Sequence, residues 1–285
     1  MPLSVTIITR NAASQLEGCL ASVTFAEEVV VVDSGSTDGT IELARRHGAR
    51  VIAKEWLGFG PQKQFAVEAA SHDWVLCLDA DESLSEDLRD SIIAELKAPR
   101  GFVYAMPRCN RFLGRWLRHG EGYPDWSVRL FHRKHARWSS DSVHEKVVTT
   151  LPILRLRGDL LHDSAETLEK YLDKQNRYTS LQAELLRDAG RRASLLHLLI
   201  SPSLRFVKFY LLRLGFLDGV AGLVHIVIGC MNTFNKYAKL KALERTSRYN
   251  SGDRRRGVHR VELRSGLVRA GNRAFGQSGQ THLRR

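Results

Sequence analysis

Residues 74–82 read Trp74-Val-Leu-Cys-Leu-Asp79-Ala-Asp81-Glu82. An apolar run ends here in three carboxylates within four positions. Short apolar runs bounded by polar residues are the pattern of buried strands in parallel sheets. In open α/β sheets, ligands gather beyond the carboxyl ends of the strands. Asp79 and Asp81 stand two apart, so on an extended chain both side chains point to one side. Two convergent oxygen ligands suit Mg²⁺ or Mn²⁺, which complete their shell with water and substrate phosphates. A helix start competes for the same residues, because Ser83-Leu-Ser-Glu86 has capping-box spacing. Capping accounts for Glu86 and Asp87 but leaves Asp79 and Asp81 at the strand end.

Upstream, strand and helix patterns alternate. Residues 3–9 read as a strand. Ser14-x-x-Glu17 then has capping-box spacing, with Leu16, Cys19, Leu20 and Val23 on one helical face. Residues 29–33 are a second buried strand, followed by the turn Ser34-Gly-Ser-Thr-Asp38-Gly39 and a helix over 41–47. A strand over 50–54 and a helix over 62–70 lead into the stretch above. Such alternation is the signature of βαβ units and a parallel sheet. Asp33 joins Asp79 and Asp81 as a strand-end acid, with a turn aspartate as its alternative. No G-x-x-x-x-G-K-[ST] occurs, and no G-x-G-x-x-G follows the first strand. A Walker NTPase and a dinucleotide dehydrogenase are therefore disfavoured.

The 285 residues, 43% hydrophobic and 26% charged, have ordinary globular composition and length for one or two domains. Cys19, Cys77, Cys109 and Cys230 show no C-x-x-C spacing, which fits reduced thiols. Residues 1–20 lack a signal-peptide pattern, which speaks against secretion. The net charge of +12 is divided unevenly: residues 1–100 carry −7 and residues 101–285 carry +19. The second part is expected to face something anionic.

Taken in order, S-V-T-I-I-T-R-N from Ser4, V-V-V-V-D-S-G-S-T-D-G-T from Val29, the helix bearing Lys63, and C-L-D-A-D-E from Cys77 resemble glycosyltransferase family 2. The likeness is close over residues 3–100. It continues more loosely through Y-P-D-W-S-V-R-L-F-H-R, V-H-E and L-L-H-D, to about residue 245. It implies an α/β, GT-A (Rossmann-like nucleotide-sugar-binding) fold, with a mixed, largely parallel sheet followed by C-terminal helices. Within the family the chain is similar to bacterial lipopolysaccharide-core β-glucosyltransferases. That branch implies an inverting, metal-dependent enzyme at the cytoplasmic face of the inner membrane, with UDP-glucose as donor and a glycolipid acceptor. The resemblance places Thr9, Arg10, Asn11, Asp33, Ser34, Lys63 and Asp79 at the nucleotide sugar. Asp33 corresponds to the acid that accepts a hydrogen bond from the base. Asp81 corresponds to the principal metal ligand, with Asp79 beside it and His162 or His144 as an added ligand; a structural histidine is the alternative.

Residues 101–163 are expected to form the acceptor half, following a donor half over 1–100. The loop His119-Gly-Glu-Gly-Tyr-Pro-Asp125 is of the kind that carries function. An inverting transfer needs a carboxylate to take the acceptor's proton. The family places it in an acid pair where this chain has Pro124-Asp125. Asp125 is the first candidate, then Glu145 and Glu121, with a turn role as the alternative for Asp125.

Asp163-x-x-Glu166 is expected to open a long helix to about residue 189. Its stripe of Leu168, Tyr171, Leu172, Tyr178, Leu181, Leu185 and Leu186 reads as core packing. Residues 194–243 read as an interface-lying helical hairpin on anionic membrane, with a buried core or dimer interface as alternatives. Residues 244–285 hold eleven arginines, no lysine and three acids, the composition of a disordered basic tail. No nucleic-acid-binding motif accompanies them. The competing activities are sugar transfer to a polyprenyl phosphate and, in another class, nucleotidyl transfer.

Overall fold

The computed structural model describes residues 1–141, 145–164 and 167–253, the stretch 246–253 by backbone alone. β1 (Leu3–Thr9), α1 (Ala13–Ser22), β2 (Glu28–Asp33), α2 (Thr40–Arg46), β3 (Arg50–Ala53), α3 (Phe59–Ala69) and β4 (Trp74–Asp79) alternate as their patterns predict. Then come β5 (Glu82–Leu84), α4 (Glu86–Lys97), β6 (Val103–Phe112), β7 (Arg115–Trp116) and β8 (Asp125–His132). The short strands β9 (Arg137–Trp138), β10 (Val147–Val148), β11 (Leu154–Arg155) and β12 (Leu160–His162) precede three helices. These are α5 (Leu168–Asp188), α6 (Leu195–Phe206) and α7 (Gly219–Asp253).

The main sheet runs β3-β2-β1-β4-β8-β6-β12-β5, with β7 and β11 also on β6. β3, β2, β1 and β4 are mutually parallel. β8 runs against both β4 and β6, while β12 runs along β6 and against β5. This is the mixed, largely parallel sheet with C-terminal helices that the sequence implied. Crossover helices cover the parallel half, so its strands are apolar on both faces. Leu3, Val5, Ile7, Leu76 and Leu78 pack with Leu16 and Leu20 of α1 and with Leu88 and Ile92 of α4. Cys19, Cys77 and Cys109 are buried, and all four thiols are free.

Three helix starts differ from expectation. Ser14 and Glu17 do not cap α1. Thr40 Oγ1, at the start of α2, and Asp38 Oδ2, on the loop before it, take the Ala12 and Ala13 amides instead. Ser83 lies in β5 opposite Leu161, so Ser85 caps α4 by accepting from the Leu88 amide. Thr167 caps α5 through the Lys170 amide; Glu166 and the alternative ligand His144 lie outside the described residues. The stretch from Leu154 to His162 forms two short strands, β11 and β12.

A fourth difference concerns the α5 stripe. Thr179 and Ala183 are the buried residues of α5, whereas Leu168, Leu172, Tyr178, Leu181 and Leu185 are exposed. Tyr171 packs against Phe112 and His225, and Leu186 joins the small cluster of Ala183, Ala193 and Leu240, whereas the other five residues of the stripe face outward instead of packing in a core. α6 and α7 form a hairpin that reverses at Leu214, whose φ is +55°. α7 continues to Asp253, beyond the boundary expected at residue 243.

Candidate active site

The site begins where β1 and β4 end side by side, with Ile8 opposite Asp79. Beyond these ends lies a cavity of about 450 Å³ lined by Thr9, Arg10, Gln15, Trp56, Phe59, Lys63, Asp79, Asp81, Glu145 and His162, among others. The chain returns to this cavity by a route that no local pattern reveals. β12 pairs with β5, which puts His162 opposite Glu82, the residue after Asp81. Its Nε2 lies 3.2 Å from Asp81 Oδ2.

His162 Nδ1 is 2.7 Å from the amide oxygen of Asn110, its register partner on β6. That oxygen accepts a hydrogen bond, so Nδ1 carries the proton. In the neutral ring, Nε2 then presents a lone pair to the Asp81 carboxylate. Two acceptors facing one another need a proton or a cation between them. Among the described residues no three His, Cys, Asp or Glu side chains form a ready-made metal cage. The Asp81–His162 pair nevertheless fits a divalent ion that draws its remaining ligands from water and phosphate.

Asp79 is engaged differently. Lys63 Nζ lies 2.9 Å from one of its oxygens, and Arg129 lies 2.9 Å from the other. Burial pushes the Asp79 carboxyl up, but Arg129 and Lys63 outweigh it and hold it well below the usual carboxylate range. Arg129 also reaches Glu82 at 2.6 Å, and Glu82 accepts the Asp79 amide. Both Arg129 and Glu82 are buried, so a cation locks the turn that carries Asp81 from below.

Lys63 also meets Glu145 at 3.0 Å, which brings Glu145 into the cavity. Asp125 does not line this cavity. It starts β8 beside Arg108, at 3.2 Å. Glu121 is ion-paired to Arg205 of α6.

Thr9, Arg10, Lys63 and Asp79 of the expected nucleotide set line the cavity; Asn11, Asp33 and Ser34 do not. Asp33 is buried and accepts from Thr9 Oγ1, the Gly35 and Ser36 amides and Ser36 Oγ. Burial pushes its carboxyl up, and hydrogen bonds from Ser36, Thr9 and Gly35 bring it below the ordinary value. Asn11 has φ +51°, a region asparagine tolerates; its side chain accepts the Thr37 amide. Ser34 Oγ accepts from Gln62. These residues lace the two loops that shape the cavity.

Sequence reading missed Gln15, Trp56, Phe59, Asn110 and Arg129. Arg129 had a signal, a lone cation within the apolar strand pattern of residues 128–132. The exposed Trp56 and Phe59, in edge-to-face contact at 4.8 Å, flank a glycine turn that also was visible.

The family model for glycosyl transferase family 2 matches residues 4–155, the span that builds this cavity's strands and acids. The chain belongs to glycosyltransferase family 2. The enzyme is 31% identical over 253 residues to the lipopolysaccharide core biosynthesis glycosyltransferase LpsC of Rhizobium meliloti, covering 84% of this chain and 92% of that one. It is 32% identical to an uncharacterized glycosyltransferase of Rickettsia typhi, over 86% and 89% of the two chains. Among solved structures, TarS (residues 1–349) of S. aureus in complex with UDP matches with TM-score 0.42 and 14% identity, covering 87% of this chain and 92% of that chain. Glucosyl-3-phosphoglycerate synthase of Mycobacterium tuberculosis with Mn²⁺ and UDP matches with TM-score 0.33 and 25% identity, over 39% and 44%.

Proposed function

We propose that this glycosyltransferase moves a hexose, glucose from UDP-glucose, with inversion onto an inner-core lipopolysaccharide acceptor. The observation that carries the reading is the convergence of Asp79, Asp81, Lys63, Glu145 and His162 on one cavity at the ends of β1 and β4. The likeness to LpsC supports the acceptor class.

Asp81 and His162 would hold a Mg²⁺ or Mn²⁺ ion. When bound, it neutralises charge on the departing diphosphate. Lys63 adds fixed positive charge in the same cavity. Asp79, held ionised by Arg129 and Lys63, accepts a hydrogen bond from the ribose. Asp33 accepts the imide N–H of uracil, with Ser36 Oγ turning away to release a lone pair. Thr9, Arg10, Asn11 and Ser34 complete the nucleotide loop.

Asp125 takes the acceptor's proton. Its neighbour Arg108 lines the cavity on the other side of His162, where an acceptor would enter. Glu145, paired with Lys63, instead positions that lysine. The carboxylates thus act separately, with Asp81 at the metal, Asp79 at the ribose and Asp125 at the transferred proton.

The C-terminal helices would lay the enzyme on anionic membrane from the cytoplasmic side. Two stretches, Leu195–Leu212 and Gly215–Arg245, are long and apolar enough to cross a bilayer. None of the first is buried against the rest of the chain. Leu196, Leu199, Leu204 and Leu212 are exposed there, and Leu168, Leu172, Leu181 and Leu185 are exposed on α5. Yet the hairpin is bolted to the acceptor loop. His119 pairs with Asp218, Arg213 donates to the Tyr123 carbonyl, and Arg205 grips Glu121. A face that is apolar, fixed to the catalytic half and fringed with cations suits lying in the interface. The basic residues 254–285, outside the described residues, would add electrostatic attraction.

A panel of nucleotide sugars assayed for nucleotide release with Mg²⁺ or Mn²⁺ tests the reading. UDP release from UDP-glucose is expected. Pyrophosphate release would mean nucleotidyl transfer. Activity on polyprenyl phosphate alone would replace the acceptor.

A further inference from the structure

A second cavity, of about 560 Å³, opens on the other side of His162, between the end of β6 and helices α5 and α7. His162 lines both cavities, so a group bound in the second lies next to the donor site. Its floor is aromatic. Phe112 lies 5.2 Å from both the Tyr171 and His225 rings. Burial pushes the His225 imidazole down, which keeps it neutral and platform-like. Its wall is cationic: Arg108, Arg111 and Lys174 line it alongside the carboxylate of Asp163.

The two arginines are held but not used up. Arg111 gives Nη1 to Asp163 at 2.7 Å and lies 5.7 Å over the Trp116 ring. Arg108 pairs with Asp125 at 3.2 Å and stands 3.8 Å from Glu82. A guanidinium carries five donors in a fixed fork, so one carboxylate contact leaves donors for a planar or tetrahedral oxyanion. Lys174, itself engaged by a neighbouring group, brings a third cation from α5.

Flat apolar faces with a few placed cations are how pockets take polar ligands in a fixed pose. A neutral sugar has no use for three cations. A lipid tail has no use for them either. We propose that this cavity is the acceptor subsite and that it takes a sugar bearing an oxyanion, a phosphate or a carboxylate. The sugar ring rests on Phe112 and Tyr171 while Arg111 and Lys174 hold its anionic substituent, and the acceptor hydroxyl points past His162 toward the donor, beside Arg108, the partner of Asp125. The site rests on the glycosyl-transfer reading above and adds the acceptor's charge to it.

The test uses the full-length protein and saturation-transfer NMR with three probes: glucose 6-phosphate, glucuronate and glucose. Saturation of one or both anionic sugars, at concentrations where glucose shows none, is the expected result. Phosphate alone, carboxylate alone or both then identifies the oxyanion. In Arg111→Gln/Lys174→Gln the anionic sugars should bind at least about tenfold more weakly. UDP affinity, measured on the same samples, should be unchanged and serves as the control for folding. Should the double variant fail that control, Arg111→Gln alone is compared with Arg111→Lys, which keeps the charge and loses the fork. Equal saturation by glucose, or anionic-sugar binding unaffected in the folded variants, would overturn the proposal. Failure of UDP to bind the wild type, with anionic-sugar binding intact, would overturn the donor reading alone.

Discussion

Replacing Arg129 with methionine is the sharpest test of how the acidic turn is held. Arg129 is buried and touches Asp79 at 2.9 Å and Glu82 at 2.6 Å, with Glu82 itself 1% exposed. Removing one partner of a buried ion pair costs roughly 3–5 kcal/mol, because the remaining charge stays buried. Two neighbours soften the loss: Lys63 stays 2.9 Å from Asp79, and Arg108 is 3.8 Å from Glu82. The low end, about 3 kcal/mol, is therefore expected. For a domain of this size that lowers Tm by roughly 6–12 °C. The sign of the pH dependence follows from Asp79. Its folded carboxyl lies below the ordinary value, so its contribution is complete above the unfolded pKa, about 3.9, and fades as pH falls further. Arg129 supplies much of that contribution, so the gap between wild type and Arg129→Met should be full at pH 7 and narrow below about pH 4. Urea unfolding followed by far-ultraviolet circular dichroism, at a series of pH values, reads both quantities. Arg129→Lys keeps the charge without the fork and should fall between the two. A loss under about 1 kcal/mol at pH 7, or a gap independent of pH, would refute the argument that this cation sustains the turn.

Asp125→Asn should lower kcat by about 10²–10⁴-fold with UDP affinity unchanged, while Glu145→Gln should mainly weaken donor binding through Lys63; the reverse pattern in steady-state kinetics would exchange their roles. Asp81→Ala and His162→Ala should each abolish metal-dependent tightening of UDP in calorimetric titrations while leaving the circular dichroism spectrum intact; unchanged metal dependence in both would remove the proposed ligand pair. Burial pushes the Glu28 carboxyl up, but hydrogen bonds from Ser4, Ser71 and Arg50 bring it down to about 2 from an ordinary 4.5. Its stabilisation is therefore complete above pH 4.5 and lost on the way down to pH 2, so Glu28→Gln should be less stable at neutral pH and show a flatter acid limb; parallel curves would show that this carboxylate carries no such load. Flotation with anionic liposomes should decline with salt without vanishing, since the exposed leucines of α6 are not screened; protein that never floats would exclude the membrane face.

The parallel half of this protein was legible in its sequence. β1, β2, β3 and β4 are short apolar runs separated by helical periods, and local pattern alone sets their type and order. The acids at their ends were visible because an acid that follows a buried strand has few places to go. Cavity membership was not visible. Asp33 looked like Asp79, yet only the folded chain shows four donors closing around the first and two cations around the second. His162 meets Asp81, and Glu145 meets Lys63, through pairings of strands two or three residues long, which carry almost no local signal. Arg129 acquires its meaning from β8 inserting antiparallel next to β4. The α5 stripe makes the same point in reverse. A helical period fixes that one face is apolar, but only the packing of neighbouring elements decides whether that face is covered. Here α7 packs against Thr179, Ala183 and Leu186, so Leu168, Leu172, Leu181 and Leu185 of α5 are left on the outside.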